Sequence, residues 1–213
     1  MAREQLTVSD RDIDAAARVL AGGGIVAYPT ETVYGLAVDA RRAQAVAALV
    51  RLKGRDDGRG ISLLVRDLDM AMPLLDAAPP ADAYALVDAF WPGPLTIVLP
   101  ASASVAPALR GPSGGVGLRC SSDPWAARLV ETFGAPLTST SANRSGEPPA
   151  RSADEVRRAF DGASGLALVV DGGPRDSTSA STVVEFYEGR ATVVRAGAVR
   201  TESIASIITL EPA

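Results

Sequence analysis

Short apolar segments alternate with amphipathic helical segments along most of this chain, and this alternation limits the folds that it can adopt. The segment Ile25–Tyr28 is apolar and short, which is typical of a buried strand. It follows a stretch between Ser9 and Gly22 in which apolar residues recur at helical spacing. Strands that alternate with helices predict a layered α/β fold, and the closely spaced strands near the C-terminus indicate some antiparallel pairing.

The same signals place the other elements. Further helices are predicted over about 42–53, 81–90, 125–133 and 201–209, and Ser152 with Glu155 forms a capping box that opens one more. Further strands are predicted over 61–65, 95–99, 116–119, 137–140, 166–170, 182–186 and 192–195. No internal repeat or long linker interrupts the series, so the sequence predicts one domain over residues 1–213.

The sequence contains no histidine, which excludes His-dependent triads, the usual zinc sites and the commonest general base. A net charge of −4 and a pI near 4.9 argue against a protein whose main task is to grip nucleic acid. The single cysteine, Cys120, cannot form an internal disulfide, and no signal-peptide pattern or membrane-length apolar run is visible. We therefore expect a cytoplasmic protein without membrane attachment.

A group of cations follows the predicted helix over 42–53. Lys53 and Arg55 flank Gly54, and Arg59 stands four residues further on in a glycine-rich loop. Three cations held just before a buried strand would suit a triphosphate or a carboxylate. The alternative is a solvated basic turn at a helix C-terminus, where positive charge is favourable. Spacing alone slightly favours the second interpretation.

Two polar segments follow predicted strands. Thr30, Thr32 and Tyr34 come directly after the first strand, at the end where open α/β sheets usually bind ligands. A polar loop that satisfies its own backbone is an equally good interpretation. Residues 139–143 offer hydroxyl and amide donors in a tight turn, which can form an anion-binding nest. A serine nucleophile there is disfavoured, because the chain has no histidine and no Gly-x-Ser-x-Gly elbow.

Two arginines end predicted strands, Arg119 at the end of 116–119 and Arg195 at the end of 192–195. Each alone is most simply an edge charge. Together with the cations around Lys53, they favour a shared cationic site.

These segments form an ordered series of motifs. The series reads Pro-Thr-Glu-Thr-Val-Tyr-Gly-Leu from residue 29, Lys-Gly-Arg from 53, Phe-Trp-Pro-Gly-Pro-Leu-Thr from 90, Arg119, Ser-Ala-Asn-Arg-Ser-Gly from 141, Asp-Gly-Gly from 171, Ser-Thr-Val-Val from 181 and Arg-Ala-Gly from 195. The series resembles the YrdC-like domain of threonylcarbamoyl-AMP synthases over about residues 23–198. One motif is weak evidence, whereas the ordered series is highly specific.

The resemblance implies a twisted, mixed parallel and antiparallel sheet with flanking helices around a concave, cationic cavity that holds L-threonine beside ATP. By position, four residues would line the threonine side: Thr32, Arg119, Ser139 and Ser181. Six would face the nucleotide and its phosphates: Lys53, Arg55, Arg59, Ser141, Asn143 and Arg195. Lys53 and Arg55 would have the catalytic role, and Mg²⁺ would arrive on the ATP phosphates without a metal ligand from the protein.

The activity implied by the resemblance is that of a nucleotidyltransferase. Such an enzyme joins L-threonine, bicarbonate or CO2, and ATP into threonylcarbamoyl-AMP and releases pyrophosphate. The product would pass to a separate transferase complex that modifies tRNA beside the anticodon, a step that leaves room for a weak tRNA contact. The second domain of the longer synthases has no counterpart, so the chain resembles the short, single-domain type.

Four departures from the family pattern bear on substrate identity. Asp56 replaces a usual proline, Arg59 stands where lysine is common, residues 120–122 intervene before the proline that usually follows Arg119 closely, and Ala196 replaces the usual proline after Arg195. Two other functions therefore stay open. One is an RNA-binding protein without catalysis, which the acidic pI and few aromatic residues disfavour. The other is a carbamoyl-adenylate enzyme with a different substrate.

Overall fold

The computed structural model describes residues 9–54, 58, 60–177 and 179–212, and within them the chain forms ten strands and seven α-helices. The strands are β1 (Ile25–Tyr28), β2 (Gly35–Ala37), β3 (Leu63–Leu64), β4 (Leu95–Pro100), β5 (Gly115–Arg119), β6 (Leu137–Thr138), β7 (Thr140–Ser141), β8 (Leu166–Val169), β9 (Thr182–Tyr187) and β10 (Arg190–Arg195). The helices are α1 (Asp10–Ala21), α2 (Ala43–Lys53), α3 (Leu68–Ala71), α4 (Ala81–Phe90), α5 (Pro124–Phe133), α6 (Ala153–Ala159) and α7 (Thr201–Ala205).

The strands form two mixed sheets. The four-stranded sheet has the order β7-β2-β1-β8, and the six-stranded sheet has the order β10-β9-β4-β5-β3-β6. In the first, β1 pairs antiparallel with β2 and parallel with β8. In the second, β4 pairs antiparallel with β5 and parallel with β9. The α/β class and the mixed pairing are confirmed, whereas the prediction of one sheet is wrong.

The segment predicted as one strand over 137–140 contributes to both sheets. Its first half, β6, pairs with β3, and its second half, β7, pairs with β2 in the other sheet. Between them, the backbone N–H of Ser139 donates to the carbonyl of Ser62 at 2.6 Å. A strand pattern in the sequence does not report this change of partner, because pairing is set by contacts with distant segments.

The core lies on both faces of β1, whose four residues are all buried. On one face, Val26 and Tyr28 pack in a cluster with α1 and α5. On the other, Ile25 and Ala27 join the larger core that includes Leu49 of α2. A strand buried on both faces reads as a continuous apolar run, which is why its position was predictable.

Several elements match their predictions closely. β1 and α4 are confirmed, and Asp123 caps α5 by accepting from the N–H groups of Trp125 and Ala126. The predicted helix over 201–209 ends early, at Ala205, and the predicted strand over 61–65 is shorter, since β3 covers only Leu63–Leu64. The short elements β2 and α3 were not predicted. Among the described residues, no helix combines the length and apolar character needed to span a membrane.

Candidate active site

The loop that leaves β1 uses its two threonine hydroxyls differently. Thr30 Oγ1 donates to the carbonyl of Val33 at 2.6 Å and accepts from the backbone N–H of Thr32 at 3.2 Å. Thr30 therefore closes its own turn, as the polar-loop interpretation predicts. Thr32 Oγ1 instead accepts from Arg119 Nη2 at 3.1 Å, so this hydroxyl joins the loop to the end of β5.

Arg119 is a buried ion-pair partner and not the edge charge that was its simplest interpretation. Only 8% of its side chain is exposed, and its Nη2 lies 2.9 Å from Glu31 Oε1. The other oxygen of Glu31 accepts from Ser121 Oγ. Burial opposes ionisation of the Glu31 carboxylate, but the charge of Arg119 and these hydrogen bonds outweigh it and lower its pKa. We call Glu31, Thr32, Arg119 and Ser121 the Arg119 cluster.

Ser139 lies beside this cluster, between β6 and β7. It accepts a hydrogen bond from the Tyr28 hydroxyl at 3.1 Å. Burial raises the pKa of Tyr28 to about 12, although Ser139 and the positive charge of Arg119 act against the shift. Tyr28 therefore contacts Ser139 and also feels the charge of Arg119.

Arg195, the second arginine of the predicted site, is hydrogen-bonded to Ser181. Arg195 donates through Nε and Nη2 to the Ser181 carbonyl at 3.1 and 2.8 Å, and Nη2 also donates to Ser181 Oγ at 2.9 Å. The Ser181 hydroxyl is 2.9 Å from Thr96 Oγ1 on β4. Burial, followed by the like charge of Arg119, lowers the pKa of Arg195. Two cations within electrostatic reach of each other favour an anion between or beside them.

Lys53 organises the turn that follows β7. It is 3% exposed, and its Nζ donates to the carbonyls of Ser141 at 2.6 Å and Asn143 at 2.9 Å. Asn143 accepts from Ser141 Oγ at 2.5 Å and donates to the carbonyls of Arg144 and Glu147, both at 2.8 Å. We call Lys53, Ser141 and Asn143 the Lys53 turn. The basic-turn interpretation is wrong for Lys53, because its ammonium group is buried.

The segment from Ser139 to Asn143 connects Tyr28 with the Lys53 turn. Ser139 accepts a hydrogen bond from Tyr28, and the Asn143 carbonyl accepts one from Lys53. The structure thus brings eight of the ten predicted site residues into connected polar groups: Thr32, Lys53, Arg119, Ser139, Ser141, Asn143, Ser181 and Arg195. The remaining two, Arg55 and Arg59, lie outside the described residues.

Sequence reasoning missed the carboxylate and tyrosine partners of these residues. Glu31 lies inside the first motif, where only the hydroxyl side chains were considered. A second buried pair joins Arg175 Nη1 to Asp123 Oδ2 at 3.1 Å. The Tyr34 hydroxyl holds the loop that carries Arg175, because it donates to the Gly173 carbonyl at 2.9 Å. A charged residue between two threonines was the signal that could have identified Glu31.

Two surface cavities lie away from this site. A cavity of about 440 Å³ lies between α1 and the start of α2, and one of about 500 Å³ lies beside the β9–β10 turn; neither is lined by a predicted site residue. In the described part of the chain, no group of three His, Cys, Asp or Glu side chains is placed to hold a metal ion. The site is therefore identified by its buried charges and hydrogen bonds.

Comparisons with known proteins agree on one family. A model of the Sua5/YciO/YrdC family, described as "Telomere recombination", matches residues 18–197. Threonylcarbamoyl-AMP synthase from Alkalilimnicola ehrlichii is 42% identical over 181 residues, covering 85% of this chain and 93% of the relative.

Solved structures give the same result. The P. abyssi Sua5 structure complexed with L-threonine superposes with a TM-score of 0.91 at 32% identity, over 98% of this chain and 61% of that one, so this chain spans about three fifths of the P. abyssi protein. E. coli YciO superposes with a TM-score of 0.82 at 25% identity, over 93% of this chain and 95% of that one. The chain belongs to the Sua5/YciO/YrdC family.

Proposed function

We propose that this chain is a threonylcarbamoyl-AMP synthase, which joins L-threonine, bicarbonate or CO2, and ATP and releases pyrophosphate. The observation that carries the proposal is that two arginine contacts meet at the start of β4. There, Ile97 pairs with Leu118, the neighbour of Arg119, and the Thr96 hydroxyl lies 2.9 Å from the Ser181 hydroxyl that Arg195 contacts. Two cations and several hydroxyls in one place suit a zwitterionic, hydroxylated substrate next to phosphates. The threonylcarbamoyl-AMP synthase at 42% identity supports the same conclusion.

The threonine side of the proposed site consists of Thr32, Arg119, Ser139 and Ser181. Arg119 would pair with the substrate carboxylate, because a guanidinium matches the planar geometry of a carboxylate. The serine and threonine hydroxyls both donate and accept, so they can bind the substrate hydroxyl and orient its amine. The P. abyssi Sua5 structure contains L-threonine, which supports this substrate.

The nucleotide side consists of Lys53, Ser141, Asn143 and Arg195, together with Arg55 and Arg59 of the cationic loop. Lys53 brings a positive charge to the turn at Ser141–Asn143, where it would stabilise charge on the transferred phosphoryl group. Magnesium would enter on the ATP phosphates as part of the substrate. We place the concave, cationic cavity of this family at these residues, between the two sheets.

The proposed reaction needs no nucleophile from the protein. The threonine amine attacks CO2 and loses a proton, or it attacks bicarbonate with loss of water, and either route gives a carbamate. A carbamate oxygen then attacks the α-phosphorus of ATP, and the bond to pyrophosphate breaks. Holding the carbamate in line with the phosphorus contributes about 7–11 kcal/mol to lowering the barrier. Lys53, Arg55 and Arg195 would supply preorganised positive charge, so the absence of histidine from the sequence is compatible with this chemistry.

The product would pass to a separate transferase that modifies tRNA, in the cytoplasm, and any contact with tRNA would serve this transfer. One assay tests the core of the proposal. Purified protein should release pyrophosphate from MgATP only when L-threonine and bicarbonate are both present. Release that is indifferent to threonine, or faster with another amino acid, would contradict the substrate assignment.

A further inference from the structure

We propose that Glu31 is a positioning residue, whose carboxylate holds the Arg119 guanidinium in the orientation that receives the carboxylate of the amino-acid substrate. The inference rests on the proposed function and assigns to that site a residue with no role in the sequence analysis. Glu31 acts through Arg119 and need not touch the substrate itself.

Glu31 is fixed at two points by the segment that carries Arg119. Its Oε1 lies 2.9 Å from Arg119 Nη2, and its Oε2 accepts from Ser121 Oγ. The side chains of Glu31 and Arg119 are only 17% and 8% exposed, so neither is free to change its rotamer without disturbing the other. One carboxylate thus determines where the guanidinium plane lies.

The hydrogen bonds of Arg119 are divided unevenly among its nitrogens. Nη2 donates a hydrogen bond to Thr32 and forms the ion pair with Glu31 Oε1. Among the described residues, neither the buried Arg119 Nε nor Glu31 Oε1 has a hydrogen-bond partner. A buried donor without a partner is unfavourable, and an anion at the guanidinium would relieve it. Glu31 therefore occupies one end of the guanidinium and leaves donor capacity for a ligand.

The charge of Glu31 also bears on both arginines. Glu31 is ion-paired with Arg119, and the like charge of Arg119 acts on Arg195. Without Glu31, Arg119 would keep its charge but lose the group that orients it and reduces its repulsion from Arg195.

The test compares Glu31→Gln with Glu31→Asp and with Glu131→Gln, an exposed glutamate of α5. For Glu31→Gln, KM for threonine should rise about 10- to 100-fold, by analogy with residues that orient metal ligands, while KM for ATP stays unchanged. Glu31→Asp should recover part of the loss because it keeps the charge, and Glu131→Gln should behave as the unsubstituted protein.

L-Threoninamide, which lacks the carboxylate charge, separates positioning from a general structural role. The unsubstituted protein should bind threonine much more tightly than threoninamide, and Glu31→Gln should lose most of that preference. An undiminished preference, or equal rises in both KM values, would overturn the inference. If Glu31→Gln fails to fold, Ser121→Ala replaces it; KM for threonine should then rise about 2- to 10-fold, as expected for one lost hydrogen bond, and an unchanged KM overturns the inference.

Binding of threonine by calorimetry keeps this inference distinct from the proposed function. Protein that binds threonine but releases no pyrophosphate would contradict the proposed function, and the dissociation constants of the same variants would then decide the role of Glu31. Protein that binds neither threonine nor any other amino acid of a panel would contradict both.

Discussion

The Arg119 cluster and the Lys53 turn both bury a cation, but they hold it in different ways. Arg119 is held by side chains from the loop after β1, including the carboxylate of Glu31. Lys53 is held by two backbone carbonyls of a single turn. Both arrangements join distant segments of the chain. The first does so through a charge pair between two side chains, whereas in the second one ammonium group donates to the backbone of a turn. Substitutions should therefore affect threonine in the first region and ATP in the second.

Lys53→Ala should have the largest effect. It removes a preorganised positive charge, so kcat should fall about 100- to 1000-fold. It also removes the Lys53 donor from the Asn143 carbonyl, at a cost of about 1–3 kcal/mol in the free energy of unfolding if that carbonyl stays buried. The Ser141 carbonyl still accepts from the Asn143 N–H at 3.0 Å. Pyrophosphate release and urea denaturation measure the two effects.

Lys53→Arg sharpens the same prediction. Lys53 is the only lysine in the sequence, and every other basic residue is arginine. A planar guanidinium does not fit where a compact ammonium donates to two carbonyls, so Lys53→Arg should not restore activity. Arg51→Ala, an exposed basic residue of α2, is the matched control and should retain activity. Full activity in Lys53→Arg would show that charge alone matters.

Arg119→Ala should raise KM for threonine more than KM for ATP, and it should destabilise the fold. Removing one partner of a buried ion pair costs about 3–5 kcal/mol, because Glu31 would remain buried without its counter-charge. The free energy of unfolding measures this loss. Arg128→Ala breaks an exposed pair with Asp10 and should cost about 0–1 kcal/mol. Equal losses in the two variants would contradict the view that Arg119 is held by a buried pair.

Asn143→Ala should loosen the Lys53 turn without removing its charge. Asn143 closes the turn through three hydrogen bonds of its side chain. Since a hydrogen bond contributes about 0.5–1.5 kcal/mol, KM for ATP should rise about tenfold. The kinetic assay with varied ATP measures this change. A larger rise in KM for threonine than for ATP would contradict the assignment of Asn143 to the nucleotide side.

Tyr28 should make the stability of the fold depend on pH in the alkaline range. Its pKa is about 12 in the folded protein and 10.0 ordinarily, so the unfolded chain loses the phenolic proton first as pH rises. The stability from keeping Tyr28 neutral is therefore complete below pH 10 and is lost between pH 10 and 12, by about 3 kcal/mol in total. Tyr28→Phe should lack this loss, whereas Tyr84→Phe, at an exposed tyrosine, should retain it. Urea denaturation from pH 9 to 11 measures the difference, and identical profiles would contradict it.

The sequence predicted the parts of the fold that local burial determines. β1 is apolar throughout because both its faces are covered. The start of α5 is marked in the sequence by Asp123 as N-cap and Pro124 as the first helical residue. The change of sheet at Ser139 could not be predicted, because it depends on a hydrogen bond to Ser62 that no local pattern encodes.

For the candidate site, the sequence likewise indicated which residues belong to it but not what they contact. The motif series identified the residues Arg119 and Lys53, but their burial and partners come from long-range contacts. Glu31 was overlooked because a glutamate in a polar loop is ordinarily solvated, and only the fold places it against Arg119.

We expect this chain to join threonine, a one-carbon unit and adenylate into one product. Mass spectrometry can identify the product formed from L-threonine, MgATP and ¹³C-bicarbonate. It should be threonylcarbamoyl-AMP whose carbamoyl carbon carries the label, and it should be lost in Lys53→Ala. Adenylate released without threonine, or a threonine adduct without the labelled carbon, would contradict this expectation.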